Sequence, residues 1–331
     1  MHPPDDDPEK AKPPNPDSLA AQGMGVSEQA ELGDKLKRYG TAKNRNHQMA
    51  GFLVAHSCTA AKHSQAPVRK LARRMYDCGT ELHFRHYLEH QRTQLLRSNS
   101  CKLHIMCPLC AIRRGAYMLR RYKQRFDHLA AFHDFDLVTL TVKNGPDLAE
   151  RTAHLRAAHR KLRERIKKGY SALADTAGAL WSTELTRSAE GWHPHLHMIV
   201  ARPKGSAPLM WGQGSPLAED WRAVTGDSYI VHAQRIAPNH EGICGALCET
   251  LKYAVKFGDL TLSDNWDAFC TLKGKRLIAS SGVLYGLVLP DDANLDDDQL
   301  DGPFIDFFFR FMGSSGYRLQ NTPTRTTVEV A

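Results

Sequence analysis

"LWSTELTRSAEGWHPHLHMIVA", residues 180–201, is the stretch whose reading decides the fold. Two runs rich in β-branched, aromatic and aliphatic residues flank the polar "SAEG" at 188–191, the pattern of an antiparallel hairpin. A tight turn there sets Glu184 opposite His195, Ser182 opposite His197 and Thr186 opposite His193, and opposed side chains leave a sheet on the same face. A carboxylate and a row of imidazoles therefore converge. That is ligand chemistry for a divalent cation: His195 and His197 supply nitrogens, and Glu184 or else His193 supplies the third donor. Coordination positions left open suit a phosphate oxygen, whose charge a metal neutralises during transfer. Register carries the inference, because a slip of one residue turns Glu184 to the other face.

The totals around this hairpin point to nucleic acid. The chain has 331 residues and is 42% hydrophobic, enough for one large or two ordinary domains with cores. Its net charge is +8, but residues 1–34 and the segment "DDANLDDDQLD" at 291–301 each carry −6, which leaves +20 on the remainder. A surplus of that size suits a polyanion, because neutralised phosphates release counterions. No apolar run approaches the roughly 18 residues of a membrane helix, and the acidic, Pro-rich start lacks the basic and apolar parts of a signal peptide. A cytoplasmic location is expected. Eight cysteines in a chain this long are too few for a disulfide scaffold, which favours a reducing compartment.

Composition and periodicity divide the chain into four. Residues 1–34 are expected to form a disordered acidic tail, 35–130 a zinc-binding segment and basic helix that binds DNA, 131–290 the domain built on the hairpin, and 291–331 an acidic loop and C-terminal tail. "DLVTLTVKN", 136–144, reads as a strand. After it, Leu148, Thr152, Leu155, His159, Leu162 and Ile166 recur at helical spacing and give one buried stripe that stops at Gly169. "CAIRRGAYMLRRYKQRF", 110–126, places Ile112, Ala116, Leu119 and Phe126 on one side of a helix. Its other faces are basic, with Arg113 and Arg114 as candidates for DNA contact.

Two further segments carry chemistry. "CKLHIMCPLC" holds Cys101, His104, Cys107 and Cys110, with Cys78 upstream, and its CxxC is a half-site for tetrahedral zinc. Cys78 with Cys101, or Cys101 with His104, completes it as a structural site. Cys58, Cys244, Cys248 and Cys270 are assigned to packing. "GALCETLKYAVKFGD", 245–259, has helical spacing with Glu249 and Tyr253 at i and i+4 and Lys252 and Lys256 on the same polar side. A tyrosine among these groups suits a phenolate nucleophile for phosphorus, with the cations stabilising the developing charge. Lys252 is also a candidate DNA contact. Taken alone, the segment better suits a surface helix with an i,i+4 charge pair, and only its coupling to the histidine hairpin reverses that reading.

In this order the pieces resemble the replication initiators of rolling-circle plasmids in the HUH endonuclease superfamily, in the branch with a Cys-rich segment before the nuclease motifs. "CPLCAIRR" is similar to the end of that segment, "LVTLTVKN" to the first nuclease motif, "WHPHLHMIV" to the His-hydrophobic-His motif and "ETLKYAVK" to the single-tyrosine motif. The resemblance covers about residues 70–285 and takes in "LKGKRLIASSG". It implies an α+β fold: an HUH-type central antiparallel sheet with helices on one face, preceded by a small zinc-binding segment. It further implies a nickase that leaves a 5′-phosphotyrosine on Tyr253, with Mg²⁺ or Mn²⁺ on His195 and His197. Glu249 would activate water for the terminating cleavage, and Lys256 would contact the scissile phosphate or leaving group. The implied partners are plasmid origin DNA, single-stranded or cruciform at the nick, and a host helicase and DNA polymerase, since no helicase-type phosphate loop is present. His104 stands where the branch carries a basic residue. The rival readings are a transposase or relaxase of the same superfamily and a non-catalytic zinc-containing DNA-binding regulator.

Overall fold

The hairpin forms as β4 (Gly178–Ser188) and β5 (Gly191–Pro203) in a computed structural model that describes residues 24–59, 62–251, 260–286, 302–320 and 325–326. Its register sets Glu184 opposite His195, Ser182 opposite His197 and Thr186 opposite His193. The turn is Ala189–Glu190, and it is Gly191 that takes the positive φ, at 110°. A side chain could not follow there: a Cβ on Gly191 would lie 2.5 Å from the carbonyl oxygen of Gly145, whose backbone pairs with Trp192. This bridge ties the hairpin tip to the loop after β3 (His133–Thr141).

The described chain holds two antiparallel sheets and seven α-helices, and divides into two compact units. In the unit that contains the hairpin, the strand order is β6-β3-β5-β4-β7, with β6 at Val231–Arg235 and β7 at Ile278–Gly282. One face of this sheet, with Val138, Leu140, Leu196, Met198 and Ala233, packs with Leu155 and Leu162 of α4 (Leu148–Lys167) and Trp221 of α5 (Pro216–Thr225). The helices start where the sequence caps them. Asp147 accepts from the Glu150 N–H at α4, and Ser215 from that of Ala218 at α5. α6 (His240–Leu251) lies against β4 and β5 on the opposite face, and Phe126 of α3 (Pro108–Leu129) packs on Phe135 with ring centroids 4.7 Å apart. Helices thus cover both faces, not the single face the resemblance implied, because strands β3, β4 and β5 bury side chains on both sides. α7 (Leu262–Leu272), opened by a capping box at Thr261 and Asp264, contacts α4.

The other unit contains α1 (Val26–Thr59), α2 (Lys62–Asp77), β1 (Glu81–Tyr87) and β2 (Arg92–Ser98), joined by the last strands of the chain. β8 (Phe304–Phe311) pairs along the length of β1, with β9 (Tyr317–Leu319) and β10 (Arg325–Thr326) beside it. Two expectations are corrected here. The 1–34 segment is helical from Val26, because Leu32 and Leu36 bury one side of α1; and the 291–331 tail holds a strand, because Ile305, Phe307, Phe309 and Phe311 alternate into the core. Residues 291–301 lie outside the described residues.

Phase corrections are smaller. In α3 Ile112 and Phe126 are buried as read, while Ala116 is exposed and Leu119 half-buried; Tyr117, Met118, Tyr122 and Leu129 are buried instead, since the tyrosines present more apolar surface than an alanine. In α4 the stripe buries as read except Ile166, which is half-buried in the last turn. Cys58, Cys248 and Cys270 are exposed and Cys244 half-buried: the buried side of α6 is Ile243, Ala246, Leu247, Thr250 and Leu251. Leu155 sits fully buried between α4 and the sheet. Leu155→Ala is therefore expected to lower stability by about 2–5 kcal/mol, read from a denaturant titration; a change within error would mean that α4 does not pack as described.

Candidate metal centre

Two clusters of metal-ligating side chains form among the described residues. The first follows from the hairpin. Glu184, His195 and His197 offer one ligand atom each, all within 4.8 Å of one another. Glu184 Oε2 lies 2.6 Å from His197 Nε2 and 3.7 Å from His195 Nε2. Glu184 and His197 are buried and His195 is half-buried, so the group opens on the His195 side. A carboxylate buried at 2% exposure beside two imidazole nitrogens is a donor set that a divalent cation fits, and a protein interior favours such a charge only when it is compensated.

The sheet orients the group further. Thr139 lies opposite His197 on β3, and its Oγ1 is 3.2 Å from His197 Nδ1. That contact leaves Nε2 turned toward Glu184 and His195, the arrangement by which a ligating imidazole is held in one tautomer. Nothing in the sequence singled out Thr139; only the register of β3 against β5 does so. His193 stands next in the row with its ring 4.8 Å from that of His195, edge to face, outside the three-residue group. Burial holds its imidazole below the ordinary histidine range, with Glu190 pulling the other way. Glu249 approaches from α6, with its Oε1 3.9 Å from His197 Nδ1. Tyr253, Lys252 and Lys256 lie outside the described residues. Arg113 and Arg114 are half-buried on the first turns of α3.

The second cluster gathers Cys78, Cys101, Cys107 and Cys110, all buried and none in a disulfide. Sulfur separations are 3.7 Å for Cys78 to Cys107 and to Cys110, and 3.5 Å for Cys101 to Cys110. Four thiolates about 2.3 Å from a tetrahedral zinc stand roughly 3.8 Å apart, so the cage has the size for that ion. His104 is not part of the group. Hydrogen bonds from Cys101, Cys107 and Cys78 pull the Cys110 thiol down, whereas burial pushes Cys107 up. Two residues that the sequence did not mark support the cage from α1. Asn46 Nδ2 donates to Cys107 Sγ at 3.0 Å, and the buried Lys43 ammonium donates to the Cys78 carbonyl at 2.8 Å and to the Tyr76 carbonyl. Their distance in sequence, 61 positions for the Asn46 contact, is why spacing could not find them.

No helix among the described residues is long and apolar enough to cross a membrane. The family model described as replication protein matches residues 92–303, which takes in three of the four cage cysteines and the whole histidine hairpin. No curated protein and no solved structure matches the chain.

Proposed function

The chain belongs to the replication protein family Rep_1 of plasmid replication initiators, and from that premise we propose that it starts rolling-circle replication by nicking one strand at its origin. The observation that carries this reading is the convergence of Glu184, His195 and His197 within 4.8 Å on one sheet face, with Glu249 of α6 beside them. The Tyr253 hydroxyl oxygen bonds to phosphorus, the bond from phosphorus to the 3′ oxygen breaks, and that oxygen takes up the proton tyrosine gives up. The products are a 5′-phosphotyrosine and a free 3′-hydroxyl for a polymerase. Mg²⁺ or Mn²⁺ held by the three ligands supplies charge neutralisation at the phosphate. Lys252 and Lys256 add positive charge there, and Glu249 takes the proton from the water that ends the reaction. Zinc in the cysteine cage is structural, as four protein ligands leave no open position. Origin DNA, presented as a single strand or cruciform, is the substrate, a host helicase and polymerase are the partners, and the cytoplasm is the place of work. Arg113 and Arg114 bind the phosphate backbone.

The test is to mix the protein with labelled single-stranded fragments of its own replicon and Mn²⁺, run a denaturing gel, and sequence any adduct by mass spectrometry. DNA linked to Tyr253 is the expected result. Tight, salt-sensitive binding without an adduct on any fragment would instead make the chain a DNA-binding regulator.

A further inference from the structure

The metal-ligating row continues across the whole sheet. Reading opposed residues strand by strand gives His232 on β6, Thr139 on β3, His197 on β5, Ser182 on β4 and Ile278 on β7. Directly opposed side chains share a face, so these five form one line with His197 at its middle. Four steps of about 4.8 Å make the line roughly 19 Å long, about 10 Å to either side of His197.

Each end of the line carries a feature that the metal centre does not use. At the β6 edge, Trp211 packs at a tilt of 57° against His232 with ring centroids 4.3 Å apart, yet is 54% exposed. Tyr229, just before β6, is exposed as well. A large aromatic held by a second ring and open to water is a stacking platform: its burial is not what keeps it there. At the β7 edge is a cavity of about 240 Å³ with Ile278 in its wall. Its floor is apolar, with Ile105, Met118, Leu251 and Leu277 buried. Its rim is cationic: Arg114 from α3, and Lys275 and Arg276 on the loop before β7, both exposed. These two belong to "LKGKRLIASSG", a segment to which the metal centre gives no role. Leu251 is two residues beyond Glu249 on α6, so the last turn of that helix touches both cavity and metal centre. The cavity is smaller than the roughly 300–1,000 Å³ of sites for whole small molecules. An apolar slot of this size under a cationic rim fits one nucleobase with its phosphate outside.

We propose that single-stranded DNA lies along this row, with one base stacked on Trp211 and another seated in the cavity beside Ile278, so that the phosphodiester between them meets Glu184, His195 and His197. The inference rests on the strand-nicking reading. At the stacked rise of about 3.4 Å per nucleotide, the row spans no more than about six nucleotides. A duplex cannot take this path, because its bases are paired away from the aromatic platform and the slot. Specificity around the nick then comes from which base the cavity accepts, and affinity from stacking and from the rim.

The experiment uses the full chain and two probes, fluorescein-labelled dT30 and a 30-base-pair duplex. Trp211→Ala removes the platform from an exposed position. Gly115→Leu fills the cavity from α3, where a Cβ meets only the Leu251 carbonyl oxygen at an ordinary 3.5 Å. Each variant is expected to bind dT30 about tenfold more weakly, the loss of one stacked base, with duplex binding within twofold of the parent. Because Gly115→Leu could disturb folding, dT30 carrying single 4-thiothymidines is also cross-linked to the unaltered protein. Cross-links are expected on the peptide holding Trp211 and on the peptide spanning 275–278. Equal dT30 affinity in both variants, or cross-links confined to other peptides, overturns the proposal. So does a matching loss of duplex binding, which would put a double strand on this face. If the unaltered protein forms no covalent adduct with any strand but the variants lose dT30 as expected, it is the nicking reading that fails. If the adduct forms and the variants bind as the parent does, the track alone fails.

Discussion

His197→Ala is expected to lose DNA cleavage by about 10³-fold, and Mn²⁺ affinity by well over the 10- to 100-fold that removal of a mere supporting residue costs. The geometry gives the reason. His197 Nε2 lies 2.6 Å from the buried Glu184 carboxylate, and Nδ1 is anchored on Thr139. Removing the imidazole takes away one candidate ligand and the group held against another. Titration calorimetry with Mn²⁺ reads the affinity without reference to cleavage. Two comparison variants sharpen the result. Thr139→Val keeps all ligands and loses only the anchor, so its affinity should fall 10- to 100-fold. His193→Ala leaves the three-residue group of Glu184, His195 and His197 in place and should change affinity by only a few-fold. If His193→Ala instead loses as much as His197→Ala while a Glu184→Gln variant binds normally, the third ligand is His193 and the assignment of Glu184 is wrong.

How much of this could be read from the chain depends on how local the signal is. The hairpin was legible because a period-two pattern and a two-residue turn leave one register, and that register alone carries Glu184 to His195. The cysteine cage was half legible: the CxxC announces itself, but whether Cys78 or His104 completes the cage depends on the path from β1 to α3, which spacing does not contain. Thr139, Asn46 and Lys43 were invisible, because each meets its partner through packing of elements far apart in sequence. "FIDFFFRF" was missed for a different reason. Its alternation is plain, but the acidic segment before it masked it, and its partner β1 lies about 220 residues away, as the Arg85–Asp306 contact shows. In α3 the reading missed only at Ala116 and Leu119, because tyrosines bury as readily as leucines when their hydroxyls reach a partner or water.

Removing metal from the cysteine cage is expected to unfold the unit that contains it. Zinc bound by such ligands contributes on the order of 10–16 kcal/mol in small domains, as large as the whole 5–15 kcal/mol by which a typical protein is stable. The cage holds α2, the β2–α3 loop and the start of α3 together through Cys78, Cys101, Cys107 and Cys110, and Asn46 links it to α1. Four thiols at 3.5–3.7 Å cannot all ionise without a cation, since each thiolate repels the next. Hydrogen bonds within the cluster pull the Cys110 thiol down while burial pushes Cys107 up, and the Lys43 ammonium sits beside them on the Cys78 carbonyl. A dication is what lets all four ionise together. Cys107→Ser, at a fully buried position, is therefore expected to lower the bound zinc from one per chain to none by elemental analysis, and to make α1 and α2 cleavable by trypsin at temperatures where the parent resists. A strong chelator should do the same to the parent, and added Zn²⁺ should reverse only that case. A parent that carries no zinc, or a variant that resists trypsin as the parent does, would mean that these four thiols pack without a metal.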